Sequence, residues 1–145
     1  MAASAKLYGL AQKSLFNKEL DWDTDAIKVM LCTVSYTPNQ DTHQYKSDIT
    51  AEATGTGYTA GGALLTSCTA TYNAGTNTLT LDAADVSWPN STISARYAVL
   101  YNSTPATDAT RPLIGYVDFG QDISTTAGTF SIVWDAAGII TATAA

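Results

Sequence analysis

The chain is predicted to be all-β, an antiparallel β-sandwich (immunoglobulin-like or jelly-roll-like) with a short N-terminal helix and a long glycine-rich loop. Short runs of strand-forming residues recur between turn signals along most of the chain. Only one segment, near the N-terminus, spaces its apolar residues as a helix does. Thr, Ala, Gly, Asn and Ser are abundant and charged residues make up 14%, which favours short strands joined by turns.

The length of 145 residues predicts one domain, residues 1–145, large enough to bury about two-thirds of its unfolded surface. Residues 92–101 form the longest run of strand-type residues, with Pro89 before it and Pro105 after it. Neither face of this run is strongly polar, which predicts a central strand covered on both sides.

The N-terminal region, residues 1–20, carries the helical pattern. Leu7 and Leu10 lie at helical spacing, and Ser4 is a candidate N-cap, so a helix is predicted over residues 4–20. We expect its apolar stripe to pack on its own domain. The alternative is packing on a neighbouring subunit, which makes Leu7 and Leu10 candidate interface residues.

An acidic link precedes the first predicted strand, residues 27–32. Asp21, Asp23 and Asp25 have the spacing of a calcium-binding loop, but Ala26 and Cys32 stand where such a loop has Gly and Glu. We interpret the link as a solvated turn, and no metal or cofactor is predicted.

Residues 33–62 have little periodicity and are predicted to form an extended loop or arm. Loops of this length inside a domain are often functional, so an arm that reaches a partner is expected. A mobile loop is the alternative. The glycine-rich part, residues 55–62, is followed by a strand rather than a helix, unlike a dinucleotide-binding loop. The candidate interface residues here are Tyr36, Pro38, His43, Tyr45 and Tyr58.

The rest of the chain alternates strands and turns. Strands are predicted over residues 63–72, 78–81, 86–88, 92–101, 113–119, 129–134 and 139–143. Cys32 and Cys68 are predicted to be buried apolar side chains on different sides of the sheet rather than a disulfide.

Arg96 is the sole charged residue in the predicted central strand. A buried arginine needs a carboxylate or several carbonyl groups as partners. Asp118 and Asp85 are candidates, and a structural ion pair across the sheet is favoured over a bridge to a neighbouring subunit.

Catalytic and nucleic-acid-binding signatures are missing from the sequence. His43 is the single histidine, and no nucleophile-elbow sequence is present. Aspartates in turns between strands are ordinary turn residues, so the protein is predicted not to be an enzyme. The alternative is a carbohydrate hydrolase with paired carboxylates. A net charge of -6 argues against nucleic-acid binding. No membrane span or signal sequence is predicted.

Five segments carry a resemblance to a known group of proteins: residues 25–29, 36–43, 55–62, 95–101 and 113–120. Read together, they resemble small structural proteins of tailed bacteriophages, and the resemblance runs from about Leu7 to the C-terminus. It implies a virion component, made in the host bacterial cytoplasm and located on the capsid surface. The expected role is a decoration or cement protein that binds the outside of the major capsid shell and stabilises it.

The resemblance also implies partners. These are the major capsid protein and further copies of the chain, as a homo-oligomer with a trimer favoured. No catalytic residues are carried over. The alternative is a tail, neck or fibre component that binds a host surface glycan through aromatic side chains. The candidate aromatic residues are Tyr58, Tyr97, Tyr101, Tyr116, Trp22, Trp88 and Trp134.

Overall fold

A computed structural model describes residues 2–144, which form ten strands and one α-helix. The elements are β1 (Ser4–Leu7), α1 (Gly9–Phe16), β2 (Ile27–Cys32), β3 (Ala63–Leu64), β4 (Thr69–Asn73), β5 (Thr78–Asp82), β6 (Val86–Ser91), β7 (Ser94–Asn102), β8 (Leu113–Ser124), β9 (Gly128–Ile132) and β10 (Ile140–Thr143). Two 3₁₀ turns lie at Lys46–Asp48 and Asp108–Thr110. The predicted all-β class, with antiparallel sheets and a short N-terminal helix, is confirmed.

The strands form three antiparallel sheets. The largest has the order β1-β8-β7-β2-β3, a second has the order β10-β5-β4, and β6 pairs with β9. β7 is the middle strand of the largest sheet, as predicted. A register shift between Ala95 and Tyr97 moves Ala95 to the side of Ala98 and Leu100, so that the three share one core. Bulges of this kind change which face a side chain takes.

The first hydrophobic core lies between the five-stranded sheet and the two smaller sheets. It contains Leu31 and Leu100 from the large sheet and Trp88, Phe130 and Ile132 from the β6–β9 sheet. Leu81 and Ile140 of the three-stranded sheet are partly buried against it. The Trp88 and Phe130 rings meet edge to face at 5.8 Å between centroids, a favoured arrangement for aromatic pairs.

The second core lies on the opposite face of the large sheet. Met30 and Val99 of the sheet pack there against Tyr8, Ala11 and Tyr36. The cover is therefore helix α1 together with part of the segment that follows β2. Both faces of the central strand are covered, as the weakly polar pattern predicted.

The N-terminal helix prediction is corrected in its extent. Residues 4–7 form strand β1, which pairs with β8 from Ser4↔Asp118 to Leu7↔Gly115, and the helix is only α1. The exposed edge of the twelve-residue strand β8 has unpaired backbone groups, and β1 satisfies them. Tertiary pairing therefore overrides the local helical spacing.

The segment of residues 33–62 lies packed against the sheet and does not project as an arm. Backbone hydrogen bonds attach its start to its later part and that part to β2, namely Thr33 N–H to Ala51 O and Ala53 N–H to Leu31 O. Its middle is attached to the start of β8, where Leu113 N–H donates to Gln44 O. These bonds satisfy backbone groups that the interior would otherwise leave unpaired.

Several strand boundaries differ from the prediction. The strand expected over residues 63–72 is two strands, β3 and β4, separated by a turn in which Ser67 has φ of 55°. The loop expected after Phe119 is instead part of β8. β6 extends past Trp88 through Pro89 with an irregular register. Proline is tolerated there because the ladder is already interrupted.

The cysteines are free thiols on opposite sides of the large sheet, as predicted. Cys32 is buried in the second core, as predicted, whereas Cys68 is only half-buried against the first core, which corrects the expectation that both are buried. Burial raises the pKa of the Cys32 thiol to about 12, so it stays protonated at neutral pH.

Candidate functional site

An apolar cleft of about 500 Å³ opens at the edge of the sandwich beside β1. One wall consists of β1 and β8, with Leu7 and Phe119 among the lining residues. The other wall is the chain between β9 and β10, with Trp134 and Ile139. Ala5 also lines the cleft, and its small side chain does not fill the space between the two walls.

The far wall is fixed by hydrogen bonds. The indole N–H of Trp134 donates to Ala84 O at 3.1 Å, and the Trp134 backbone N–H donates to an Asp85 carboxylate oxygen at 2.9 Å. The turn that follows is closed by Gly138 N–H donating to Asp135 O at 2.9 Å. The cleft is therefore preformed, as ligand and partner sites usually are.

Val133 lies on the same wall with 74% of its surface exposed. It stands between Ile132 and Trp134, which point toward the core side of the strand. In the alternating segment of residues 130–134, Val133 is an apolar residue at an outward position. That residue was the sequence signal for this surface. Phe130, Ile132 and Trp134 share the core-facing side of this segment, so the sequence predicted a strand here and no surface site.

The predicted partners Arg96 and Asp118 form an ion pair between β7 and β8. Arg96 Nε lies 2.6 Å from Asp118 Oδ1, which also accepts the Gly120 N–H at 2.8 Å. The guanidinium of Arg96 holds the pKa of the Asp118 carboxyl below its usual value, and the Gly120 amide adds to this. Both side chains are partly exposed, which corrects the expectation of a buried arginine. The pair is placed to align two strands rather than to do chemistry.

A smaller polar pocket of about 300 Å³ lies on the other face of the large sheet. Asp108 accepts from Lys46 Nζ at 2.8 Å and from an Arg111 guanidinium nitrogen at 2.7 Å. Lys46 is the largest cause of the lowered pKa of Asp108. The acid joins the two 3₁₀ turns, so this cluster connects loops that are distant in sequence.

The candidate interface residues of the segment 33–62 are spread between the interior and the surface. Tyr36 is 1% exposed, which removes it from any surface of this conformation. Its hydroxyl contacts the Tyr8 hydroxyl at 2.7 Å and His43 Nδ1 at 2.9 Å. Tyr58 lies partly buried beside β2, where its hydroxyl accepts the Leu31 N–H at 3.0 Å.

The other candidates are partly exposed. Tyr45 donates its hydroxyl to Glu19 Oε2 at 3.2 Å. Pro38 and Leu10 are half-buried, Leu10 on helix α1. Of all the interface candidates, Leu7 alone lines the apolar cleft.

The aromatic residues do not form an exposed platform. Trp22, Trp88, Tyr101 and Tyr116 are buried, and the remaining candidates are only partly accessible. These rings pack in or against the two cores. A sugar needs an accessible ring face on which to stack, and they do not offer one together.

Residues 2–144 form neither a metal-holding group of side chains nor a membrane-spanning helix. No group of three or more His, Cys, Asp or Glu side chains in this range is arranged to hold a metal ion. In the acidic link, Asp25 Oδ2 accepts the Asp21 N–H at 2.8 Å and the Asn102 amide at 2.6 Å. No helix in the described range is long and apolar enough to cross a membrane.

Comparison with protein-family models, with curated proteins and with solved structures found no match to this chain.

Proposed function

We propose that the protein is a non-enzymatic structural component of a bacteriophage virion, most simply a decoration protein that binds the outside of the capsid shell. The observation that carries the proposal is the open apolar cleft with Val133 at its exposed position. Apolar surface that stays accessible in a monomer marks a contact site for another protein. The five segments that resemble phage structural proteins are consistent with it.

Those five segments support the proposal through the fold. Residues 95–101 and 113–120 are parts of the adjacent strands β7 and β8, and residues 25–29 include the start of β2. Residues 36–43 and 55–62 belong to the layer packed on that sheet or beside it. The resemblance therefore concerns a connected structural unit rather than scattered surface residues.

The composition of the surface also suits a permanent assembly. Phe16 is 85% exposed, and charged residues are few. Interface centres are depleted in charge in the same way. We expect apolar side chains of the shell protein to enter the cleft, and a trimer to be the unit that binds.

The proposal is tested with empty shells assembled from the major capsid protein of the phage that would carry this chain. The protein is expected to co-sediment with the shells and to raise their melting temperature. Val133→Lys should weaken binding at least about tenfold, since a charge would be desolvated in the contact. Val34→Lys is the matched control, because Val34 is an exposed valine outside the cleft.

Absence of binding by the native protein would reject the decoration role. The copy number in purified particles separates the tail, neck or fibre alternative, which needs a few to a few dozen copies where decoration needs hundreds. In that case a glycan array is the next measurement.

A further inference from the structure

A long uncharged stretch lies between Glu52 and Asp82. The chain has 20 charged residues, 7 basic plus 13 acidic, and all of them lie outside residues 53–81. The stretch also has no proline. About a quarter of residues are charged in an average protein, so a neutral stretch of this length predicts a surface with an unusual purpose.

Strand β4 lies within this stretch at the edge of its sheet. It pairs with β5 alone in the order β10-β5-β4, and all five of its residues are exposed. In the described part of the chain, its backbone makes no hydrogen bond to a segment other than β5. Its outer edge therefore presents free N–H and C=O groups.

Natural proteins protect such edges with lysine, proline, bulges or very short strands. Other strands of this protein show these devices: β1 contains Lys6, β6 contains Pro89 and an irregular register, and β3 has two residues. β4, with the sequence Thr-Ala-Thr-Tyr-Asn, has none of them. An unprotected edge of this kind is a template for a further strand.

We propose that β4 pairs antiparallel with β4 of a second copy across a two-fold axis at Thr71, joining two three-stranded sheets into one of six strands. The identity of the occupant follows from charge. Self-pairing across a two-fold axis brings two copies of every charge on the strand into one contact, and a charge on the axis would face its own copy. β4 itself carries no charge, which suits this arrangement.

The side chains are complementary in that register. Thr71 meets Thr71, Thr69 meets Asn73, and Ala70 meets Tyr72 of the other copy. Thr–Thr pairs hydrogen-bond across antiparallel strands, and aromatic rings cover small neighbours. Tyr72, which is 56% exposed, would be covered by this pairing.

The pairing does not depend on the proposed virion role, since it concerns two copies of the same chain. If the copies also form trimers through another surface, the β4 contact would link one trimer to the next.

The test uses the full-length protein in sedimentation equilibrium from micromolar to millimolar concentration. Native protein is expected to associate through a two-fold contact. Thr71→Lys and Thr71→Glu should each weaken that association at least about tenfold, because like charges would stand directly opposite. An equimolar mixture of the two variants should restore it, because a Lys then faces a Glu.

Thr141→Lys is the matched control. Thr141 is exposed on β10, at the opposite edge of the same sheet, in the cross-strand row Thr71–Thr80–Thr141. This variant should associate as the native protein does. Equal melting temperatures for all variants would show that the substitutions leave the fold intact.

Three results would overturn the proposal: native protein that shows no association over the whole range, unchanged association of both Thr71 variants, or failure of the mixture to recover. Amide hydrogen exchange supplies an independent readout. Protection of Thr69–Asn73 should rise with protein concentration in the native protein and not in Thr71→Lys.

Discussion

Tyr58 and Glu52 hold the glycine-rich segment against strand β2. The Tyr58 hydroxyl donates to Glu52 Oε1 at 2.8 Å and accepts the Leu31 N–H at 3.0 Å, and Gly61 N–H donates to the same carboxylate oxygen at 2.6 Å. Burial is the main cause of the raised pKa of the Tyr58 hydroxyl, so it stays protonated and keeps its donor. One tyrosine and one glutamate thus convert an expected arm into a packed layer.

Tyr58→Phe should destabilise the fold by about 1–3 kcal/mol, because it leaves the Leu31 N–H and the Glu52 carboxylate without the hydroxyl. The free energy of unfolding in urea measures this. Tyr72→Phe is the control, since Tyr72 bonds only the exposed Asn77 side chain and should change stability by less than about 0.5 kcal/mol. Equal losses in the two variants would contradict the role given to Tyr58.

The hydrogen bonds that link the Tyr8 hydroxyl, the Tyr36 hydroxyl and His43 Nδ1 all run in one direction. Asn39 N–H donates to His43 Nδ1 at 3.4 Å, so this nitrogen is an acceptor and the Tyr36 hydroxyl donates to it. The Tyr8 hydroxyl then donates to Tyr36. Removing the middle hydroxyl should therefore cost more than removing the end one.

Tyr36→Phe is expected to cost about 1–3 kcal/mol, since the buried Tyr8 hydroxyl and the histidine nitrogen both lose a partner. Tyr8→Phe leaves the Tyr36–His43 bond in place and should cost about 0.5–1.5 kcal/mol. Urea unfolding of the two single variants and the double variant checks the order. A larger loss in Tyr8→Phe would contradict the central place given to the Tyr36 hydroxyl.

Gly62 can have no side chain in this fold. Its φ is 80°, and a Cβ would lie 1.9 Å from Val29 O. Gly62→Ala should lower the free energy of unfolding by about 3 kcal/mol or more, combining backbone strain with displacement of β2. Gly75→Ala is the matched control, because Gly75 has no positive φ and an added Cβ would meet only the Asn73 side chain at 3.2 Å. A milder loss for Gly62 than for Gly75 would refute the close approach.

Alkaline pH should unfold the protein because buried tyrosine and cysteine side chains resist losing their protons in the folded state. Burial raises the pKa of Tyr36 and Tyr101 from the ordinary 10.0 to about 12, and that of Cys32 from the ordinary 9.0 to about 12. The unfolded chain releases these protons first, so it binds fewer protons than the folded one and stability falls as pH rises. Stability should decline from about pH 9 and steeply between pH 10 and 12.

Tyrosinate absorbance and far-ultraviolet circular dichroism, followed together against pH, measure this. The buried phenols are expected to ionise in the same transition that removes the β signal. Full ionisation of all eight tyrosines near pH 10 with the sheet intact would show that the phenols are not protected.

Local sequence determined the fold class and most of the strands. Period-two alternation and turn residues fix the strands because each acts within a few residues. β7 was predicted over residues 92–101 and runs from Ser94 to Asn102. A charge in a central strand needs a partner, so the sequence pointed to Asp118 or Asp85 as the partner of Arg96. The order of the strands decides between the two, because β8 lies beside β7 and carries Asp118.

Tertiary structure decided what local pattern could not specify. Residues 4–7 became a strand because β8 has an edge to fill, and residues 33–62 became a cover because Tyr36 and Tyr58 find partners distant in sequence. The cleft beside Val133 and the free edge of β4 arise from the relative placement of sheets. Placement of that kind depends on long-range packing, for which the alternation of residues along a strand carries no signal.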